Sequence, residues 1–228
     1  MSLSAPFFET RRLLMRPFAA ADLDAFVAYR AHPDVERYQS WSGYTLDQGR
    51  ELIESMQGVM PGVPGEWYQF ALEEHTGSTL VGDLALKVGE SEPREAEVGF
   101  SLAPAHQGKG YGTEALQALL GYAFGTLKLH RVIAVTDALN TPAAALLERV
   151  GMRREAHFLE NVFFKGAWGS ELLFAMLERE WGAAASRRTG SDAAPASPDA
   201  AEDEQRERDD GQDDENGPQH VHGETPSG

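Results

Sequence analysis

The 228-residue chain is predicted to fold as an α/β domain over residues 1–182, a mixed, mostly antiparallel sheet flanked by helices. Two observations carry this expectation. Short segments alternate apolar and polar residues with the period of two expected of strands covered on one face, while longer ones repeat apolar residues at helical spacing. One succession, strand Glu97–Ala103, helix Thr113–Leu127 and strand Arg131–Thr136, makes a crossover unit, which places a parallel pair in an otherwise antiparallel sheet. Residues 183–228 carry twelve acids against four arginines, with no aromatic residue. Such a segment cannot bury enough surface to offset its ordering entropy, so a disordered acidic tail is expected there.

In Arg11–Arg16, Leu13 and Met15 alternate with Leu14 and Arg16, a strand stopped by Pro17. Asp22–Arg30 reads as a helix with Leu23, Phe26, Val27 and the stem of Arg30 on one face, broken by Pro33. Leu46–Met56 follows as a helix, with Thr45 as its N-cap. Gly58–Gly65, punctuated by Pro61 and Pro64, reads as a loop. Trp67–Leu72 and Thr79–Val88 are expected to form an antiparallel hairpin. In the strand ending at Ala103, Val98, Phe100 and Leu102 share one face, and Glu97, Gly99 and Ser101 the other. The helix after it aligns Leu116, Leu119, Leu120, Ala123 and Phe124 along one stripe. Arg131–Thr136 suits a buried strand. Thr141-Pro142 opens a helix as hydroxyl cap and N1 proline, and Gly151 closes it. Ala156–Lys165 and Ser170–Leu177 are the expected last strands, joined through Gly166-Ala167-Trp168-Gly169.

Composition narrows the function classes. The chain has no cysteine, which excludes disulfides, thiolate metal sites and a cysteinyl acyl intermediate. Seven histidines are scattered without metal-ligand spacing, so no metal is expected. No stretch approaches a membrane span, and MSLSAPFFETRR lacks a signal-peptide core; a soluble, cytoplasmic protein is the expectation. The net charge of −16 argues against nucleic acid and anionic membranes as partners and suits a cationic substrate or basic protein.

The stretch that organises the rest is Gln107 to Gly112, QGKGYG, where the strand gives way to the helix through three glycines. The first N–H groups of a helix lack intrahelical partners, and its dipole adds partial positive charge, so such a turn can hold phosphate. Glycine at 108, 110 and 112 removes Cβ atoms that would block the approach. The P-loop pattern is absent, and a dinucleotide-binding turn would need a third glycine where Thr113 stands, after a continuously apolar strand.

Gln107-x-x-Gly110-x-Gly112, between strand and helix, resembles the acyl-CoA pyrophosphate loop of the GNAT superfamily of N-acetyltransferases. The likeness runs over about residues 7 to 180 and is greatest to the RimJ/RimL branch. It rests also on FFETRRLLMRPFAAADLDAF, EVGFSLAPAHQGKGYGTEAL, Asn140 and LLERVGM. The resemblance implies a fold with two splayed strands beside the loop. Acetyl-CoA, as co-substrate, would hold its pantetheine arm against backbone groups around Phe100 and Leu102. Its pyrophosphate would lie on Gln107, Gly108, Lys109, Gly110, Tyr111, Gly112 and Thr113, and Asn140 would bind CoA or merely fill a turn. Tyr38 and Trp41, in a region that overhangs the acceptor site in these families, are candidate substrate contacts.

The resemblance further implies direct attack of an amine on the thioester, with Glu97 at a position that carries the base in some members. An ion pair of Glu97 with Arg94 or Arg131 is the structural alternative. Leu147 stands where many members have a tyrosine acid and Ala143 where RimL-like ones have serine, so the general acid is unassigned. A protein N-terminal α-amine is the expected acceptor. An aminoglycoside or polyamine is the alternative, and a CoA-binding protein without transferase activity is the non-enzymatic one. The acceptor's identity and the oligomeric state are not legible in the sequence.

Overall fold

The computed structural model describes residues 7–183; the expected acidic tail lies outside them apart from its first residue. Among the described residues eight strands form one sheet in the order β1-β2-β3-β4-β5-β6-β8-β7. They are β1 (Phe8–Glu9), β2 (Leu13–Arg16), β3 (Trp67–Glu74), β4 (Leu80–Val88), β5 (Glu95–Leu102), β6 (Arg131–Asp137), β7 (Arg153–Phe164) and β8 (Ala167–Leu177). Every neighbouring pair is antiparallel except β5 and β6, the pair joined by the crossover. No described helix is long and apolar enough to cross a membrane.

The crossover helix α4 (Tyr111–Gly125) buries the expected stripe, with Leu116, Leu119, Leu120 and Ala123 at 0 % exposure. It packs on the sheet face formed by Val98, Val132, Ala134 and Phe174, together with α5 (Thr141–Arg149). The opposite face of β2–β4 is covered by α1 (Leu23–Arg30) and α3 (Leu46–Ser55), where Phe18, Phe26, Tyr29, Tyr44 and Ile53 cluster around Ala71 and Leu80. Arg16 ties these layers together. Its guanidinium meets Asp22 through two hydrogen bonds of 2.7 and 2.8 Å and also holds Glu73, all three side chains being buried. A buried cation with two carboxylates is tolerable because each charge is hydrogen-bonded.

Local signals explain most boundaries. Thr45 accepts from the Gln48 N–H at 3.3 Å while Gln48 reaches back to the Thr45 N–H at 2.9 Å, a reciprocal cap that starts α3. Gly151, at φ +96°, closes α5. Its N–H donates to the Glu148 carbonyl and that of Met152 to the Leu147 carbonyl, the Schellman arrangement.

Several expectations are corrected. Pro33 starts a short helix, α2 (Pro33–Glu36), because the His32 side chain accepts from the Asp34 N–H and proline suits the first turn. The α5 cap is Asn140, whose Oδ1 accepts from the Ala143 N–H at 3.2 Å, so Thr141 and Pro142 lie inside the helix. β6 is buried on one face only; Val135 is 37 % exposed. The last hairpin turns at Lys165-Gly166, both at positive φ (48° and 83°), the two-residue geometry that matches strand twist. β1, only two residues long, is too short for periodicity to reveal.

Candidate active site

β5 pairs with β4 along its whole length, from Val88↔Ala96 to Gly82↔Leu102. With β6 it pairs only at Glu95↔Arg131, Ala96↔Val132 and Glu97↔Ile133. Beyond that point β6 follows β8 and the two strands diverge. The Ala103 N–H donates to the Val81 carbonyl at 2.9 Å. By the alternation of a strand, the backbone groups of Phe100 and Leu102 therefore turn the other way, into the gap. Gln107 bridges that edge to the loop, its Nε2 donating to the Leu102 carbonyl at 3.0 Å.

The gap opens into a cavity of about 1010 Å³ at the N-terminus of α4. Glu114 is the first residue there whose N–H finds a carbonyl, that of Gly110 at 3.1 Å. The N–H groups of Tyr111, Gly112 and Thr113 consequently have no partner among the described residues and can meet an anion. Gly108 and Gly110 adopt φ +71° and +82°, a conformation L side chains rarely take. At Gly112 packing adds a second reason for glycine. A Cβ there would lie 3.0 Å from a Leu146 methyl and 3.2 Å from a Leu102 methyl, so close packing of α4 on β5 and α5 resists one unless those side chains shift.

Eight of the expected cofactor residues line this cavity: Phe100, Leu102, Gln107, Gly108, Gly110, Gly112, Thr113 and Asn140. Lys109 and Tyr111 do not. The Tyr111 phenol instead donates to Glu74 and its ring lies under the Arg12 guanidinium at 4.4 Å, so its side chain belongs to the framework. Asn140 uses its oxygen for the helix cap, leaving its amide N–H groups without a partner among the described residues. Two arginines that sequence reasoning missed, Arg37 and Arg149, add positive charge to the wall. Arg149 donates to the Thr113 hydroxyl at 3.5 Å. Its place in LLERVGM, the last turn of the helix opened by Asn140, was the available signal.

A second cavity, about 810 Å³, lies on the opposite face of β5, between the sheet and α3. Its floor includes Gly99 and the buried pair Arg30–Asp83, 3.0 Å apart. Trp41 lines it; the indole N–H donates to the Arg30 carbonyl at 3.1 Å and the ring lies 4.3 Å from the Arg30 guanidinium. Glu51 and Glu66 also face this space, and neither has an ion-pair partner among the described residues. Tyr38 lines the cavity at the N-terminus of α4 instead. Its hydroxyl donates to the Leu139 carbonyl at 3.3 Å, bridging the mouth of the gap.

The two cavities share part of their lining. Gln39, Phe100 and Ser101 line both, and the Gln39 amide lies 3.5 Å from the Ser101 hydroxyl. Ser101 was not among the residues sequence reasoning selected, and Gln39 entered only as the start of a loop, Gln39–Thr45, expected to shape acceptor specificity, because their meeting arises only where loop and strand converge.

Glu97 stands at the last paired position before the strands part. Neither expected ion pair forms: Arg94 holds Glu92, and Arg131 holds Glu95 and Glu155. Half-burial pushes the Glu97 carboxyl above the usual range, with Lys87 lowering it and Glu171 raising it. Glu97 lines neither cavity. Leu147 is buried in the core and Ala143 carries no polar atom, so α5 supplies no acid at either position.

The family model for the acetyltransferase (GNAT) domain matches residues 12–153. The uncharacterized N-acetyltransferase YnaD of Bacillus subtilis is 30% identical over 172 residues, 75% of this chain and 97% of that protein. The crystal structure of a GNAT-family acetyltransferase from Bacillus anthracis superposes with a TM-score of 0.68 at 31% identity, covering 75% of this chain and 98% of that one. Shorter matches, spanning about half of the relative's length, reach the ribosomal protein uS5-alanine N-acetyltransferase of Escherichia coli (31%, 37% of this chain and 43% of the relative). The spermidine N(1)-acetyltransferase of Vibrio cholerae also matches (35%, 42% of this chain and 55% of the relative). The chain belongs to the GNAT acetyltransferase family, and it is an acyl-CoA-dependent N-acetyltransferase.

Proposed function

We propose that acetyl-CoA occupies the cavity at the N-terminus of α4 and gives its acetyl group to the α-amine of a protein or peptide lying in the cavity on the other face of β5. The observation that carries this reading is the shared wall of Gln39, Phe100 and Ser101, where a donor and an acceptor entering from opposite faces come together. The pyrophosphate meets the free N–H groups of Tyr111 to Thr113, with Arg37 and Arg149 beside it, and the pantetheine arm continues the sheet along Phe100 and Leu102.

Attack of the neutral amine nitrogen on the thioester carbon forms the C–N bond, and the C–S bond breaks as CoA leaves. A β5 N–H at the gap stabilises the developing oxyanion. Glu97 lies two residues from Gly99 on the same face, roughly 6 to 7 Å along the strand. A water can pass the amine's proton across that distance, and Gly99 offers no side chain to obstruct it. The raised carboxyl makes Glu97 a better proton acceptor than an exposed glutamate. The leaving thiolate takes its proton from solvent or a water in the gap.

The acceptor cavity supports a peptide because its walls mix amides and hydroxyls (Gln39, Gln48, Gln69, Ser55) with the aromatic rings of Trp41 and Trp67, groups suited to backbone hydrogen bonds and small side chains. A polyamine is the second reading, favoured by the unpaired carboxylates of Glu51 and Glu66. CoA-thiol release from acetyl-CoA, measured against N-terminal peptides, polyamines and aminoglycosides, tests the choice. Higher kcat/KM on peptides is expected; turnover confined to polyamines would move the assignment to the second reading.

A further inference from the structure

The opening motif Thr10-Arg11-Arg12-Leu13-Leu14-Met15-Arg16 contains more than the framework pair of Arg16 and Asp22. Thr10 and Arg12 turn toward the start of α4, about a hundred residues away in sequence. The first turn of that helix carries a carboxylate, Glu114, which lines the cofactor cavity. An acid in a first helical turn ordinarily stabilises the helix, but here it would compete with the anion that the same dipole has to hold.

Glu114 is instead fully engaged from the other side. Its Oε2 accepts from the Arg12 Nε at 2.6 Å, and its Oε1 accepts from the Arg12 backbone N–H at 2.9 Å and the Thr10 hydroxyl at 2.5 Å. The same guanidinium donates from Nη1 to the Lys109 carbonyl at 3.0 Å. A trans peptide is planar and carries its C=O and N–H on opposite edges, so drawing the Lys109 carbonyl toward Arg12 turns the Gly110 N–H away from it. That N–H has no partner among the described residues, and Gly110 lines the cavity.

We propose that Arg12 is a positioning residue for the cofactor loop: it neutralises Glu114 in place and sets the orientation of the 109–110 peptide, so that the N-terminus of α4 presents its charge and N–H groups to the pyrophosphate. The proposal rests on reading this cavity as the acetyl-CoA site. Arginine is needed because one rigid fork serves a carboxylate and a carbonyl at once, which a lysine ammonium cannot do in the same geometry.

The test compares two acetyl donors, acetyl-CoA and S-acetylpantetheine, which lacks the pyrophosphate. In the wild type, acetyl-CoA should be the better donor by a wide margin; equal use of both would overturn the cavity reading itself. Arg12→Ala is expected to raise KM for acetyl-CoA at least ~10-fold with kcat changed no more than about twofold, and to leave the rate with S-acetylpantetheine within about twofold of wild type. Arg12→Lys should recover part of the loss, and adding Glu114→Gln to Arg12→Ala should recover part by removing the stranded carboxylate. An equal loss with both donors would mark Arg12 as framework only. An unchanged KM for acetyl-CoA in Arg12→Ala would overturn the role outright.

Discussion

The cavities on the two faces of β5 are built in opposite ways. The cavity proposed for the cofactor centres on one stretch, Phe100 to Gln117 with its loop glycines and helix start, and is closed by residues of the 34–39 segment and by one side of α5 from Asn140 to Arg149. The acceptor cavity is made of side chains from segments far apart: Arg30 on α1, Trp41 in a loop, Glu51 on α3, Glu66 before β3, Asp83 on β4 and Ser101 on β5. Backbone geometry is encoded locally, by glycines and a helix start. A wall of side chains is encoded only by the whole fold.

The largest expected effect follows from the loop glycines. Gly110→Leu places a branched residue at φ +82°, which costs about 1 to 2 kcal/mol, with its Cβ 3.3 Å from an Arg12 nitrogen. Relaxing that strain moves the N–H groups proposed to hold the cofactor. Acetyl-CoA affinity should fall about 10-fold or more in a calorimetric titration, since about 1 to 2 kcal/mol of strain must be relieved or carried in the bound loop. Gly112→Leu should act differently. Its side chain has to displace Leu146 and Leu102, so the loss is of stability, about 1 to 3 kcal/mol by denaturant titration, with affinity following only as the packing shifts. Equal behaviour of the two variants would erase the distinction between a loop glycine and a packing glycine.

That distinction shows what the sequence could and could not convey. The glycine spacing, the helix stripe and the crossover were legible because each depends on neighbours a few residues apart. The role of Gly112 was not, because Leu146 lies 34 positions away and only the α4–α5 packing brings it close. Gln39 and Ser101 carried no periodic or motif signal at all. The aromatic pair in the α1–α3 segment was read as two candidate substrate contacts of one site, and the sequence did not show that Tyr38 lines one cavity and Trp41 the other. The helix cap was placed one residue late because Thr141-Pro142 fits the capping pattern, and Asn140 fits it equally well.

Asn140 offers a finer probe of the same comparison. Asn140→Ala removes the cap and should cost about 0.5 to 2 kcal/mol of stability, whereas Asn140→Ser keeps an accepting oxygen and adds no charge while losing the amide N–H groups. If those groups bind the cofactor, Asn140→Ser will nearly keep the melting temperature and raise KM for acetyl-CoA. On the acceptor side, Glu51→Gln with Glu66→Gln should raise KM for a peptide acceptor only a few-fold and leave KM for acetyl-CoA alone. A change in both constants would show that the cavities do not divide donor from acceptor.

Glu97 gives the smallest expected effect on an α-amine. At pH 7 an α-amine with pKa about 7.7 to 8.0 costs only ~1 kcal/mol to deprotonate, an alkyl amine near 10.4 about 4.6 kcal/mol. Glu97→Gln should therefore lower kcat modestly on a peptide and more on an alkyl amine, with higher pH restoring part of the rate. The stability sign is opposite to that of a salt-bridged glutamate. A carboxyl raised in the folded state binds its proton more tightly there than in the unfolded chain, so stability falls as pH rises from the unfolded pKa through the folded one. Glu97→Gln should accordingly melt no lower than wild type at pH 7. A clear drop would identify a structural contact in place of a proton acceptor.

The central claim is that donor and acceptor occupy their two cavities together and react where these share Gln39, Phe100 and Ser101. Initial rates measured while acetyl-CoA and a peptide acceptor are both varied test it directly. Direct attack within a ternary complex predicts double-reciprocal lines that intersect. Parallel lines, the mark of an acetylated enzyme formed before the amine binds, would contradict it.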